Sequence, residues 1–181
     1  MSVILNRVSL NEPVDGHPLL SCPGSPQEAR TNLGPVISDA QFAKIQSLIA
    51  IGIEEVATLV TGGLGRPEGL DKGYYVRPIV FGDVTAQMTI AREEIFCPVL
   101  SIIAYDSEAQ AIEMANDTVY GLAAYIQSVN IEHARAVAKQ MRVGSVYLNH
   151  PVWDTLAPFG GYKQSGIHDF LEIKDVVGWS E

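Results

Sequence analysis

Residues 89–100 read T-I-A-R-E-E-I-F-C-P-V-L, and the fold of the chain turns on how this stretch is read. Two adjacent carboxylates, Glu93 and Glu94, lead through Ile95, Phe96 and Cys97 to Pro98. Pro98 then opens an apolar run, residues 99–105, with the length and composition of a buried strand. Charge at the mouth of a buried strand is costly unless it binds something. In an open α/β sheet, ligands gather at the strand ends, where loops present such groups. Glu93 and Glu94 therefore read in two ways: as solvated turn residues, which exposed carboxylates commonly are, or as ligand-binding groups.

Working outward, helix and strand signals alternate on both sides of this run. Upstream, Leu33-Gly34-Pro35 marks a turn, and Ser38 with Gln41 has capping-box spacing. Phe42, Ile45, Leu48 and Ile49 recur at helical spacing, with Gly52 as the expected stop. Residues 56–61 and 74–81 read as strands, the second weakened or placed at a sheet edge by Pro78. Downstream, Ser107 with Gln110 repeats the capping box ahead of a helix carrying Ala111, Ile112, Met114 and Ala115. A strand follows at 122–126, and then a helix capped by Asn130 that is expected to stop near Gly144. Strands at 146–148 and 173–179 flank a glycine-rich loop, A-P-F-G-G-Y-K-Q-S-G, at 157–166. The alternation predicts an α/β fold with a mainly parallel sheet covered by helices. Residues 1–27, rich in proline and glycine apart from a short strand signal at 3–5, read as an irregular lead-in.

With 181 residues, the chain can hold one sizeable core but not two large domains. A net charge of -9 repels phosphate backbones, so no nucleic-acid partner is expected. There is no Lys/Arg cluster for an anionic membrane, and the apolar runs are too short to span a bilayer. The N-terminus has no long apolar segment after a basic start, so no signal peptide is expected. Two cysteines do not make a disulfide framework. Together these features predict a cytoplasmic protein.

Gly63, Gly65 and Gly69 lack the spacing of a dinucleotide fingerprint and read as a hairpin or surface loop. Residues 160–165 likewise lack the spacing of a P-loop. His17, His133, His150 and His168 form no metal-ligand pattern with either cysteine, so no metal is expected. His150 follows the strand at 146–148, in the kind of strand-end loop that lines sites. Cys97 lies beside two carboxylates, which raise a thiol pKa, and no helix N-terminus follows it. It reads as a buried small residue, and Cys22 shows no activator.

Six motifs run in order: T-N-L-G-P-V-I-S, L-V-T-G-G, G-Y-Y-V-R-P-I-V-F, E-E-I-F-C-P-V-L, A-N-D-T-V-Y-G-L-A-A and A-P-F-G-G-Y-K-Q-S-G. In content and order they resemble the C-terminal part of the catalytic domain of the NAD(P)-dependent aldehyde dehydrogenases. The resemblance implies that Glu94 holds the hydroxyls of the nicotinamide ribose. It also implies that Phe96 packs beside the nicotinamide and that Phe159 lies near the nicotinamide and the substrate tunnel. The loop 150–156, with His150 and Trp153, would line the aldehyde entrance. It further implies a partial catalytic domain at 28–168 and a C-terminal strand segment of the oligomerisation type at 169–181.

The family reaction is thiolate attack on an aldehyde, hydride transfer to NAD(P)+ and hydrolysis of the thioester. Three departures bear on it. Cys97 replaces the family's usual glycine, residues are missing between Ile167 and Phe170, and the nucleophilic cysteine segment and NAD-binding domain are absent. No catalytic residue is assigned, and the chain is expected to be inactive alone, with doubtful binding of NAD or NADP. The alternative is a non-catalytic binding or assembly module that associates with a full-length homologue or forms a homo-oligomer.

Overall fold

The computed structural model describes residues 3–6 (as backbone), 23–149, 157–166 and 174–178. They form two compact units, residues 1–106 and 107–181.

In the first unit, β1 (Val3–Asn6) precedes helix α1 (Asp39–Glu54), whose N-cap Ser38 accepts from the backbone N–H of Gln41, the capping geometry expected. One face of α1 buries Ile45, Leu48 and Ile49, each worth about 1.5–3 kcal/mol on full burial. The helix does not stop at Gly52. Gly52 lies inside it because a Cβ there would sit 2.9 Å from Ile90 and 3.3 Å from Phe81. The stop is Val56, left-handed at φ 69°, and the N–H of Ala57 reaches back to the Gly52 carbonyl at 3.0 Å.

That turn delays β2 to Thr58–Thr61, and β3 covers Ile79–Gly82. A four-residue helix α2 (Thr89–Arg92) then leads into β4 (Val99–Ala104). The strand order is β1-β4-β3-β2, parallel except where β2 meets β3. β3 is therefore interior, not at the edge expected from Pro78. The proline precedes its first ladder residue, so its missing N–H costs no ladder bond. All four β3 residues are buried, and Phe81, Ile79 and Ile90 fill the core with Ile45 and Ile49.

The second unit opens with α3 (Glu108–Asn116), capped by Ser107 onto the Gln110 N–H as expected. β5 (Ala123–Ile126), α4 (Ile131–Ala138) and β6 (Ser145–Leu148) follow. Asn130 caps α4 by accepting from the N–H of His133. This helix ends at Ala138, short of the expected stop near Gly144, and Met141 and Val143 turn inward to join the core. β7 (Asp175–Val177) completes an all-parallel sheet in the order β5-β6-β7. Lys174, just before it, donates to the carbonyls of Ala138 (3.2 Å), Lys139 (3.5 Å) and Met141, satisfying the open end of α4. Four of the five strand pairings are parallel, in keeping with the mainly parallel α/β fold expected, though divided between two small sheets.

Candidate functional site

In the first unit, the stretch 93–98 is built to present two side chains outward around one buried anchor. Ile95 is buried, and its carbonyl accepts from the Gln41 side chain at 3.2 Å. On either side of it Glu94 is half-buried, while Phe96 is 77% exposed at φ 59°. This left-handed residue turns the chain so that the aromatic ring leaves the core as the backbone enters β4. The position needing conformational freedom is thus Phe96, not Cys97, whose φ is not positive. The segment is held from below by the N–H of Ile79, which donates to the Pro98 carbonyl at 2.9 Å. Glu93 is exposed.

The Cys97 thiol is pushed up from 9.0 to about 12, mainly by burial, against a smaller opposing effect of the Val99 backbone. Such a thiol is neutral near neutral pH and is a poor nucleophile. The only free cysteine among the described residues is therefore chemically quiet.

In the second unit, two of the sequence motifs turn out to be one polar knot. Lys163 donates to the carbonyls of Asn116 (2.8 Å) and Thr118 (2.9 Å) at the end of α3. The Gly121 carbonyl accepts from the N–H groups of both Gly144 (3.0 Å) and Tyr162 (2.8 Å). The Gly121 N–H donates to the Ser165 hydroxyl at 3.1 Å, and the Gln164 N–H to the Val119 carbonyl at 3.0 Å. Asn116 bridges in turn to the Gln140 carbonyl and the Arg142 N–H. Gly144 must be glycine, since a Cβ would fall 2.1 Å from the Gly160 carbonyl oxygen. The knot anchors the loop from which Phe159 stands out, 72% exposed. Composition alone gave no sign of Lys163, Asn116 and Ser165 as organisers, because their partners lie up to 47 residues away.

His150 and Trp153 lie outside the described residues, as do Cys22, His17 and His168. Among the described residues no cluster of three His, Cys, Asp or Glu side chains could hold a metal ion. No described helix is long and apolar enough to cross a membrane.

The stretch thus sets a half-buried carboxylate, an acceptor of hydrogen bonds, beside an outward aromatic ring. Residues 21–179 match the model of the aldehyde dehydrogenase family. The chain is 50% identical over 165 residues to the 3-succinoylsemialdehyde-pyridine dehydrogenase of a Pseudomonas species, covering 86% of this chain and 35% of that protein. Among solved structures, it resembles an aldehyde dehydrogenase mutant from Pseudomonas syringae in complex with NAD+ and octanal. That match has a TM-score of 0.80 and 52% identity, over 81% of this chain and 30% of the other. An NAD+ complex of a Mycobacterium tuberculosis aldehyde dehydrogenase matches with a TM-score of 0.77 and 49% identity, over 80% and 30%. The chain thus spans about a third of the length of the relatives it matches. With the family model matched over most of its residues and the fold shared with these structures, the chain belongs to the aldehyde dehydrogenase family.

Proposed function

We propose that this polypeptide supplies the part of an aldehyde dehydrogenase that orients the nicotinamide end of NAD(P)+ and walls the aldehyde pocket, and that alone it does not turn over. The observation that carries this reading is the presentation of Glu94 and Phe96 on either side of the buried Ile95. An ionised carboxylate accepts two hydrogen bonds from adjacent hydroxyls, which suits Glu94 to a ribose diol. NAD(P)+, when bound, supplies the hydride acceptor of the reaction.

Everything this chain contributes is positional. Glu94 orients the ribose, and Phe96 offers an aromatic face beside it. Phe159, on its anchored loop, bounds the substrate side, and His150 and Trp153 belong to the pocket entrance. Residues 28–168 are the partial catalytic domain, 169–181 the oligomerisation-type segment and 1–27 a lead-in. Cys97 attacks nothing, because its thiol is held neutral. The acidic balance of -9 fits a cytoplasmic protein without nucleic-acid partners.

The test is aldehyde-dependent NAD(P)H formation by the purified chain, where no turnover is expected. Robust turnover abolished by Cys97→Ser would overturn the reading and make Cys97 the nucleophile. The second reading, a non-catalytic module that assembles with a full-length homologue, is favoured by the strands left at sheet edges, β7 among them.

A further inference from the structure

We infer that Arg66 and Arg77 form a binding site for a phosphate group, built on the glycine-rich loop 62–73 between β2 and β3. The site adds to the function proposed above and does not rest on it.

Gly63, Gly65 and Gly69 carry no dinucleotide fingerprint, but the loop they belong to is tied down at several points. The Gly65 N–H donates to Gln46 Oε1 on α1 at 2.6 Å. Arg66 Nε donates to the Gly73 carbonyl at 2.8 Å, and Arg77 Nε to the Arg66 carbonyl at 2.6 Å. Gly73 can take this place only without a side chain: its φ is 90°, and a Cβ would fall 2.9 Å from the Tyr75 ring. The two arginines are thus linked to each other through the backbone of Arg66.

The case for a ligand begins with charge. The chain has 21 Asp and Glu against 12 Lys and Arg, so carboxylate partners are plentiful. Yet among the described residues neither Arg66 nor Arg77 forms an ion pair, although both are half-buried, where arginine is usually paired. Glu68 and Asp71, the loop's own carboxylates, are exposed and pair with neither. Each guanidinium uses only its Nε within the protein. The terminal nitrogens of both make no hydrogen bond among the described residues.

Packing leaves these groups in position. The Arg66 guanidinium lies over the Phe42 ring of α1, 4.8 Å from its centroid. Stacked by its face, a guanidinium keeps its in-plane N–H groups for the oxygens of a ligand. Room exists beside it: a Cβ built on Gly65, at φ 87°, would meet nothing within 4 Å. Gln46 gives an independent sign. Its Oε1 is taken by Gly65, while its Nε2 is buried without a partner. A buried donor left unpaired is costly, so an acceptor is missing where the loop meets α1. Two forks and an amide donor suit an anion with three or more oxygens, which a phosphate group offers and a carboxylate does not.

The test titrates the full chain with inorganic phosphate by calorimetry, at constant ionic strength and with chloride as the reference. A Kd of about 1 mM or tighter is expected. Arg66→Gln and Arg77→Gln should each weaken binding by about tenfold or more, with circular dichroism confirming the fold. Arg66→Lys keeps the charge but loses the planar fork, so it too should weaken binding; it decides the matter if Arg77→Gln does not fold. Lys72→Gln, at an exposed cation of the same loop, should leave binding unchanged. No binding beyond that of chloride, or wild-type affinity in the folded Arg66 variants, would overturn the inference. An equal loss in Lys72→Gln would also overturn it, because general attraction to cations would then suffice. So would acetate binding as tightly as phosphate, since the occupant would then be a carboxylate. The readout involves neither NAD nor aldehyde, so its failure and that of the proposed function are distinguishable.

Discussion

The Glu55 carboxylate receives both the backbone N–H and the side-chain hydroxyl of Thr89, each at 2.7 Å. Thr89 is the first residue of α2, and Met88 before it provides no capping side chain. The end of α1 thus caps a helix that begins 34 residues later and leads directly to Glu93 and Glu94. Hydrogen bonds to a charged, partly buried group are among the stronger ones. Glu55→Gln is expected to lower the stability of the chain by about 1–2 kcal/mol, whereas Glu54→Gln, at an exposed neighbour, changes it by less than about 0.5. Urea denaturation midpoints compare them, and equal midpoints would show that the cap contributes nothing.

Val56 offers a stabilising substitution. It is a β-branched residue in a left-handed conformation, φ 69°, and is 81% exposed, so its side chain contributes little packing. The left-handed region costs an L-residue about 1–2 kcal/mol, and glycine escapes this at an entropic cost of about 0.5–1. Val56→Gly should therefore raise stability by a net of up to about 1 kcal/mol and, with it, the melting temperature. A lower melting temperature would mean that the turn is not strained.

The chemistry of Cys97 has a signed pH dependence. Its thiol titrates near 12 in the fold against 9.0 when free, so the folded state holds the proton more tightly. The resulting stabilisation is complete below pH 9 and is lost as pH rises through 9 toward 12. Cys97→Ala should flatten this alkaline loss. In the native chain at pH 8.5, alkylation of the Cys97 peptide by iodoacetamide, followed by mass spectrometry, should be slower than in urea by about tenfold or more. Equal rates would show an accessible, ionising thiol.

Lys163 should behave as the clasp of the Phe159 loop. Its ammonium bridges two carbonyls, and a charged donor withdrawn from such a site leaves both to find water. Lys163→Met should lower local protection by about 1–3 kcal/mol at the amides of Tyr162 and Gln164, read by hydrogen exchange. Unchanged protection there would assign the loop's order to the Gly121 and Ser165 bonds alone.

In the proposed role, Glu94 and Phe96 would meet only the nicotinamide end of a dinucleotide. Association costs about 4–15 kcal/mol before any contact counts. The chain alone is expected to bind NAD no tighter than about millimolar, equivalent to about 4 kcal/mol. Glu94→Gln should accordingly leave the melting temperature with NAD unchanged. A micromolar site in calorimetry, weakened by Glu94→Gln, would refute this.

Features governed by near neighbours were legible from the residues alone. Ser38, Ser107 and Asn130 cap helices because each side chain reaches an N–H three residues on, a distance set by local geometry. The apolar run at 99–104 made a strand for the same reason, and the ordered motifs carried the family. Tertiary packing decided the rest. Gly52 looks like a helix stop until Ile90 and Phe81 press against it, leaving Val56 to end the helix under strain. Pro78 looks like an edge signal until β3 starts one residue later, between two neighbours. The pairings of Glu55 and Lys163 belong to the tertiary structure, because their partners lie 34 to 47 residues away and no local pattern encodes them. The outward turn of Phe96 likewise belongs to the tertiary structure: it depends on burying Ile95 and fastening its carbonyl to Gln41, 54 residues upstream.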